Sequence, residues 1–124
     1  MKKIFFIGAG GHFKDVFNWY LDQMKYQGKK IEIKGIVDDF KIDLKYEPTT
    51  KLKIYKFDDL EISSNIYFIL SIGQMAIRKK IIEKFKDFNF ETCIHPRATI
   101  SENCSYKKGN LFGPNSVIAG DSQI

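Results

Sequence analysis

The sequence predicts an α/β fold: a Rossmann-like parallel sheet with flanking helices, followed by the start of a left-handed parallel β-helix built from hexapeptide repeats. Three observations predict it. An apolar run near the N-terminus ends in glycines, a helical pattern and a second apolar strand follow it, and apolar residues recur at every sixth position after Pro96. The chain has 124 residues, enough for one core but not two. We therefore expect a Rossmann-like domain over residues 1–96 and the opening of the β-helix over residues 97–124.

The first predicted unit is a strand, a helix and a second strand. Ile4 to Ile7 is a continuous apolar run, which is typical of a strand buried on both faces of a parallel sheet. From Gly11 the apolar residues recur at helical spacing until Gly28 stops them, and Ile31 to Val37 follows as a strand. Such units are right-handed and parallel almost without exception.

The middle of the chain predicts shorter elements. Lys41 to Thr50 is polar and contains a proline, which indicates an irregular loop. Ile54-Tyr55 is expected as a short strand, and Phe57 to Leu60 as a single helical turn. Asn65 to Leu70, and especially Ile66 to Leu70, is expected as a third fully buried strand.

The sheet is expected to end with one more helix and strand. The helix carries an apolar face made of Met75, Ile77, Ile81, Ile82 and Phe85. Phe90 to Ile94 is expected to close the sheet as its last strand, and His95-Pro96 breaks the pattern.

After Pro96 a hexapeptide repeat replaces these patterns. Large residues fall at steps of six at Ile100, Tyr106, Phe112, Ile118 and Ile124. Small residues stand two places before four of them, at Ala98, Cys104, Ser116 and Ser122. In a triangular coil the large residue points inward and the small one fits the corner, so we favour this coil over β-hairpins, whose turn signals are missing.

The composition argues against membranes, nucleic acids and metals as partners. No run of about 18 apolar residues exists and the first apolar run is too short for a signal peptide, so a soluble, cytoplasmic protein is expected. The lysines are dispersed, so the net charge of +5 favours an anionic small molecule over nucleic acid. Cys93 and Cys104 lack metal-ligand spacing and are expected to be small buried residues.

The segment Gly8-Ala9-Gly10-Gly11-His12 lies between a strand and a helix, where a phosphate-cradling turn belongs. Glycines at Gly8 and Gly10 let the backbone turn sharply and approach a phosphate. Phe13 stands in place of the third glycine of the dinucleotide fingerprint G-x-G-x-x-G. A purely structural strand-to-helix turn is the alternative.

Other candidate binding residues follow neighbouring strands. His12 can donate to a phosphate or sugar oxygen, or can be a solvated helix-start residue. Asp38 and Asp39 end the second strand, where acidic groups bind a ribose or base, although a turn explains an Asp-Asp pair equally well. Ser71 and Gly73 end the third strand and can close the pocket from its other side.

Together these segments resemble the PglD/NeuD-type sugar acetyltransferases. The resemblance rests on Ile4 to His12 (IFFIGAGGH), Ile36 to Asp39, Ser71 to Gly73 with Arg78, and His95 to Ile100 (HPRATI). It implies acyl transfer from acetyl-CoA to an amino or hydroxyl group of a nucleotide-linked sugar, or of sialic acid, in bacterial glycan synthesis, with a UDP-amino sugar as the expected partner. Gly10, Gly11 and His12 are then expected to contact phosphates and sugar, and Asp38 and Asp39 the nucleoside.

The resemblance also implies what this chain lacks. In the family the general base is a histidine on later coils, so no residue here is assigned as catalytic, and His95 is expected to be a linker residue. Coenzyme A contacts and the homotrimer are likewise expected only of a full-length protein, with no cofactor bound to this piece. Since a solenoid needs about three repeats for stability, we expect a truncated, inactive chain.

Two other classes of function remain open at the level of the sequence. An NAD-binding Rossmann domain of an oxidoreductase would use Gly8, Gly10 and Asp38, although the missing third glycine and the six-residue period argue against it. A regulatory or oligomerising domain without a ligand is the other.

Overall fold

The computed structural model describes residues 1–39 and 51–119. The helices are α1 (Phe13–Gln27) and α2 (Met75–Lys84), with a single 3₁₀ turn at Phe57–Asp59. The strands are β1 (Lys2–Ile7), β2 (Ile31–Val37), β3 (Ile54–Tyr55), β4 (Ile66–Leu70), β5 (Cys93–Ile94), β6 (Thr99–Ile100), β7 (Leu111–Phe112) and β8 (Val117–Ile118). The predicted loop Lys41–Thr50, Ser122 and Ile124 lie outside the described residues.

A four-stranded sheet in the order β3-β2-β1-β4 organises the first part of the chain, and all of its pairings are parallel. The central strand β1 is apolar along most of its length because both of its faces are covered. Ile4 and Phe6 face α1, whereas Phe5 and Ile7 belong to the cluster that includes Ile81 of α2. The two helices therefore flank the sheet on opposite faces, as predicted.

Helix α1 ends where the sequence predicts. Gly28 adopts φ 65°, a left-handed conformation that glycine tolerates, and its N–H donates to the carbonyls of Lys25 and Met24. On the buried face, Val16 and Tyr20 are completely enclosed. The helix is thus fixed to the sheet along its whole length, which makes it a rigid support for residues at both of its ends.

The predicted apolar face of α2 is only partly buried. Ile81 packs against the second core cluster, and the Phe85 ring stacks on Phe57 at 4.5 Å. Met75, Ile77 and Ile82 are exposed instead. The single fully buried residue of α2 is Arg78. The expectation of one continuous apolar face was therefore wrong.

The strand predicted at Phe90–Ile94 is divided between two structures. Phe90 adds one parallel bridge to Phe68 of β4, at the edge of the sheet. Cys93 and Ile94 instead pair in parallel with Leu111 and Phe112. The correction has a simple cause, because the chain leaves the sheet at Glu91 and Thr92 and starts its first coil.

The paired coil strands are 18 positions apart, from Cys93 to Leu111 and from Thr99 to Val117. Eighteen residues are three hexapeptides, so each triangular turn of chain lies directly over the previous one. The predicted small residues close the corners: the N–H groups of Ala98, Cys104 and Ser116 each donate to the carbonyl three residues earlier. Phe112 is buried as predicted, whereas Tyr106 is half exposed, with its ring against Phe112.

Candidate functional site

The turn after β1 is held by Gly8. Its φ of 100° lies in the left-handed region, and a Cβ here would overlap the Ile72 side chain. The Gly8 N–H donates to the Val37 carbonyl at 2.9 Å. Ser71 is buried, and its hydroxyl lies 2.6 Å from the Gly8 carbonyl and 2.9 Å from that of Ile7. Gly8 and Ser71 thus fix the shape of the turn from beneath.

Gly10 and Gly11 form the open part of the same turn. Both are exposed, and a Cβ at either position would meet nothing within 4 Å. Neither has a positive φ, so their backbone conformation is open to other residue types. No acceptor among the described residues takes the N–H groups of Gly10, Gly11 or His12. Three successive free N–H groups at a helix start make an anion-binding concavity.

His12 lies at the start of α1, where it makes no side-chain capping bond. Its ring packs edge-on against Trp19 with centroids 5.6 Å apart. A Cβ on Gly73 would lie 3.7 Å from the His12 ring, so the turn after β4 comes close to the turn after β1. The structure therefore brings His12 and Gly73 together, as the strand-end argument predicts.

The two carboxylates at the end of β2 have different surroundings. Asp38 accepts the Ala9 N–H at 3.0 Å through Oδ2, which holds the carboxylate against the glycine turn. Asp39 is exposed and accepts the Phe57 N–H at 3.2 Å, at the start of the 3₁₀ turn. Only Asp38 is in contact with the turn.

Arg78 connects the sheet to the coil. Only 8% of the residue is exposed, and Nη1 donates to the carbonyls of Leu70 and Ile72 at 2.9 and 3.1 Å. Nη2 donates to the Gly109 carbonyl in the coil at 2.6 Å. Burial lowers the pKa of the guanidinium, because the charged form loses hydration. The sequence placed Arg78 in the helix but did not indicate this contact.

Helix α1 docks the other side of the coil. The Gln23 Oε1 accepts the Ile94 N–H at 2.8 Å, and the buried His95 ring places Nε2 2.9 Å from Asp22. The other His95 nitrogen, Nδ1, accepts the Arg97 N–H at 3.1 Å, so the neutral ring donates from Nε2 to Asp22. His95 thus lies between β5 and β6 and holds the coil to α1.

Trp19 completes this contact, although it is not among the site residues that the sequence predicts. Its indole ring lies 3.0 Å from the position of a Cβ on Gly113, so a glycine is what lets the coil approach the helix. Trp19 follows His12 by seven residues, which places both on one face of α1. That spacing is the signal that could have identified it.

The described ranges contain no group of three or more His, Cys, Asp or Glu residues arranged to hold a metal. Among these residues no helix is long and apolar enough to cross a membrane. Cys93 is buried as expected and Cys104 only partly so, and both are free thiols.

The fold and the site define a class of protein: a Rossmann-like sheet with an open glycine turn at its carboxyl edge, joined to the first coil of a β-helix. Residues 3–85 match the family of the PglD N-terminal domain, and the chain belongs to that family. A relative, an uncharacterized protein of Acanthamoeba polyphaga mimivirus, is 34% identical over 121 residues, which are 98% of this chain and 23% of that protein.

Solved structures with the same fold include two that hold coenzyme A or acetyl coenzyme A. The acetyltransferase domain of PglB from Neisseria gonorrhoeae, in complex with acetyl coenzyme A, matches with a TM-score of 0.76 and 23% identity over 98% of this chain. PerB from Caulobacter crescentus, in complex with CoA and GDP-perosamine, matches with a TM-score of 0.71 and 21% identity over the whole chain. This chain spans 58% and 57% of those two chains. The predicted fold class is confirmed.

Proposed function

We propose that this chain is the nucleotide-sugar-binding part of an acetyl-CoA-dependent sugar N- or O-acyltransferase of glycan biosynthesis. The observation that carries the proposal is the row of free N–H groups at Gly10, Gly11 and His12, beside the Asp38 carboxylate. Membership of the PglD N-terminal domain family supports it. In this proposal residues 1–96 contain the binding domain, although Cys93 and Ile94 already pair with the coil, and residues 97–124 continue the β-helix.

The ligand is oriented by charge. Its diphosphate binds the free N–H groups at the start of α1, where the helix dipole favours negative charge. The Asp38 carboxylate accepts hydrogen bonds from the ribose or base, and His12 and Gly73 face the sugar. Asp39 and Ser71 support this site, the first through the Phe57 amide and the second through the β1 carbonyls.

An NAD site is a poorer fit to this geometry. In place of the third glycine, the Phe13 ring is buried against Phe6 with centroids 5.6 Å apart. A dinucleotide fingerprint uses glycine there for close packing of helix on strand. The family match also favours the sugar acetyltransferase over the oxidoreductase.

Calorimetric titration tests the ligand class. We expect a UDP-amino sugar to bind this chain and NAD to bind at least about tenfold more weakly, a difference of about 1.4 kcal/mol. A GDP-linked amino sugar, titrated in parallel, tests the preference for uridine. Tighter binding of NAD than of either sugar nucleotide would contradict the proposal.

For the full-length protein we propose acetyl-CoA as the acyl donor, a homotrimeric assembly and a cytoplasmic location, which suits two free thiols. Of the two histidines in the sequence, His95 is buried and bonded to Asp22, so it is not available as a general base, and His12 is assigned here to sugar binding. We expect no acetyl transfer by residues 1–124 alone and transfer by the full-length protein. Light scattering after gel filtration measures the assembly.

A further inference from the structure

A cavity of about 610 Å³ lies between α2 and the coil. None of the glycine-turn residues lines it, and neither does Asp38. Its lining comprises Met75, Ala76, Arg78, Lys79, Ile82, Glu83 and the coil residues Lys107, Lys108, Gly109 and Asn110. The volume falls within the range typical of small-molecule sites, about 300–1,000 Å³. The nucleotide-sugar proposal leaves this cavity without a role.

Positive charge dominates the lining. Four cations, Arg78 and three lysines, face a single carboxylate, that of Glu83. The ion pairs found among residues 1–39 and 51–119 include none of these five residues. Lys79 belongs to α2, whereas Lys107 and Lys108 belong to the coil, so lysines line the cavity on both of its walls.

Arg78 contributes a buried charge to the same cavity. Its three hydrogen bonds all go to backbone carbonyls, so no carboxylate in the described ranges neutralises it. The Arg78 Nε–H has no hydrogen-bond partner among the described residues. Every fully buried side-chain nitrogen among these residues does have a partner. Nε therefore retains accessible surface, and the cavity is the space that Arg78 lines.

The remaining wall is apolar. Met75 is 74% exposed and Ile82 is 38% exposed, although both lie on the side of α2 that lines the cavity. An apolar ligand group placed here would cover surface that the protein alone leaves in water. The cavity thus presents a cationic end and an apolar wall to one occupant.

We propose that this cavity binds a phosphate monoester with an apolar chain, independently of the nucleotide-sugar site. Three lysines and a buried arginine suit a phosphate, which carries nearly two negative charges at neutral pH, better than a single carboxylate. The apolar chain of the ligand lies along Met75 and Ile82.

Octyl phosphate below its micellar concentration is the probe, followed by calorimetry and by the backbone amide signals of Gly109 and Asn110. Inorganic phosphate lacks the apolar chain and octyl glucoside lacks the phosphate, so each is expected to bind at least about tenfold more weakly than octyl phosphate. K107Q/K108Q removes two charges from the cavity, and we expect it to weaken octyl phosphate about five- to tenfold. The matched control K29Q/K30Q removes two exposed charges elsewhere and is expected to stay within about twofold.

Met75→Gln tests the apolar wall, and we expect it to weaken octyl phosphate while leaving inorganic phosphate unchanged. Equal losses in K107Q/K108Q and K29Q/K30Q would show binding to overall charge and overturn the proposal. Loss of octyl phosphate binding in Gly10→Val would place the probe in the glycine turn and also overturn it. So would a change of oligomeric state in K107Q/K108Q, since the cavity would then be a subunit interface.

Discussion

Gly8 and Gly10 belong to one turn but have opposite surroundings. At Gly8 a side chain would overlap Ile72, and the backbone φ of 100° is one that residues with a Cβ rarely adopt. We therefore expect Gly8→Ala to lower the free energy of unfolding by about 1–3 kcal/mol. At Gly10 a side chain meets open space, so Gly10→Val should fold normally and lose the sugar nucleotide, whose phosphate needs that space. Urea denaturation and calorimetry measure the two effects separately.

One result would contradict the role proposed for Gly10. A folded Gly10→Val variant with unchanged affinity would exclude the phosphate cradle at this turn. The structure has the positive φ of this turn at Gly8 and not at Gly10. A glycine at position 10 is therefore explained only by the space that the ligand needs.

Asp38 and Asp39 are expected to separate in the same way. Asp38→Ala removes the acceptor of the Ala9 N–H and a ligand contact, so sugar-nucleotide affinity should fall by about 1.5–3 kcal/mol. Asp39→Ala removes an exposed contact to Phe57 and should leave affinity within about twofold. Calorimetry on the two single variants decides. Equal losses would place both carboxylates on the ligand.

The two thiols should differ in reactivity and in their effect on alkaline stability. Burial, together with the charge of Glu91, raises the pKa of Cys93 from 9.0 to about 12. At pH 8 we expect Ellman's reagent to modify Cys104 in the folded chain and both cysteines in denaturant. Modification of Cys93 at the same rate as Cys104 would show that the coil opens readily.

The same pKa shift has a sign that can be checked by titration. Because the folded pKa lies above the unfolded one, the contribution of Cys93 is fully present below about pH 9. It decreases as the pH rises from about 9 to about 12, where the thiol ionises first in the unfolded chain. Tyr20 acts in the same direction, since burial and Glu91 raise its pKa as well. Urea midpoints in Cys93→Ala should fall less steeply over this range.

At the scale of elements, the pattern of apolar residues predicted β1, α1, β2 and β4. In each of these elements the apolar residues recur at the spacing of its buried face. It failed at α2, where Met75 and Ile82 continue the apolar pattern but face a cavity. It also failed at β5, since an apolar pair such as Cys93-Ile94 fits a sheet and a coil equally well. A sheet strand and a coil strand are distinguished only by the segment that they pair with, here 18 residues along the chain, and this pairing is a tertiary contact.

Arg78 is the element-scale link between β4 and the coil. We expect Arg78→Met to destabilise the chain by about 2–4 kcal/mol, because three buried carbonyls lose a charged donor. Arg78→Lys should recover part of this, since an ammonium reaches fewer acceptors than the planar guanidinium. The control Lys79→Met changes an exposed neighbour on the same helix. Hydrogen exchange at the coil amides measures the link, and unchanged exchange in Arg78→Met would contradict it.

At the scale of the molecule, the sequence predicts only those residues of the candidate site that directly follow the strand ends. Parallel strands place Gly10, Asp38 and Gly73 at one edge by topology alone, and the structure has them there. The separate roles of Asp39 and Ser71 depend on single hydrogen bonds to Phe57 and Gly8, which no periodicity encodes. Trp19 was missed for a related reason, because its partner Gly113 lies far along the chain.

The coil is held to the Rossmann-like domain by two opposed sets of contacts, Arg78 on one side and α1 on the other. On the α1 side, Gly113 packs directly on Trp19, the sole tryptophan of the sequence. We expect Gly113→Val to push the coil off the helix, because its side chain has no room beside the indole ring. The whole-molecule consequence is a coil that moves independently of the ligand site.

Tryptophan fluorescence, excited at wavelengths where the six tyrosines absorb little, measures this directly because Trp19 is the sole tryptophan. Gly113→Val should shift the emission to longer wavelength and split a single urea transition into two, one for the coil and one for the sheet. Val117→Ser, an exposed coil position that is 74% accessible, is the matched control and should do neither. Gln23→Leu removes the acceptor of the Ile94 N–H and should loosen the same contact without adding bulk. If Gly113→Val kept the wild-type emission and one transition, the coil would not depend on Trp19, and the hydrogen bonds of Arg78, Gln23 and Asp22 would hold it.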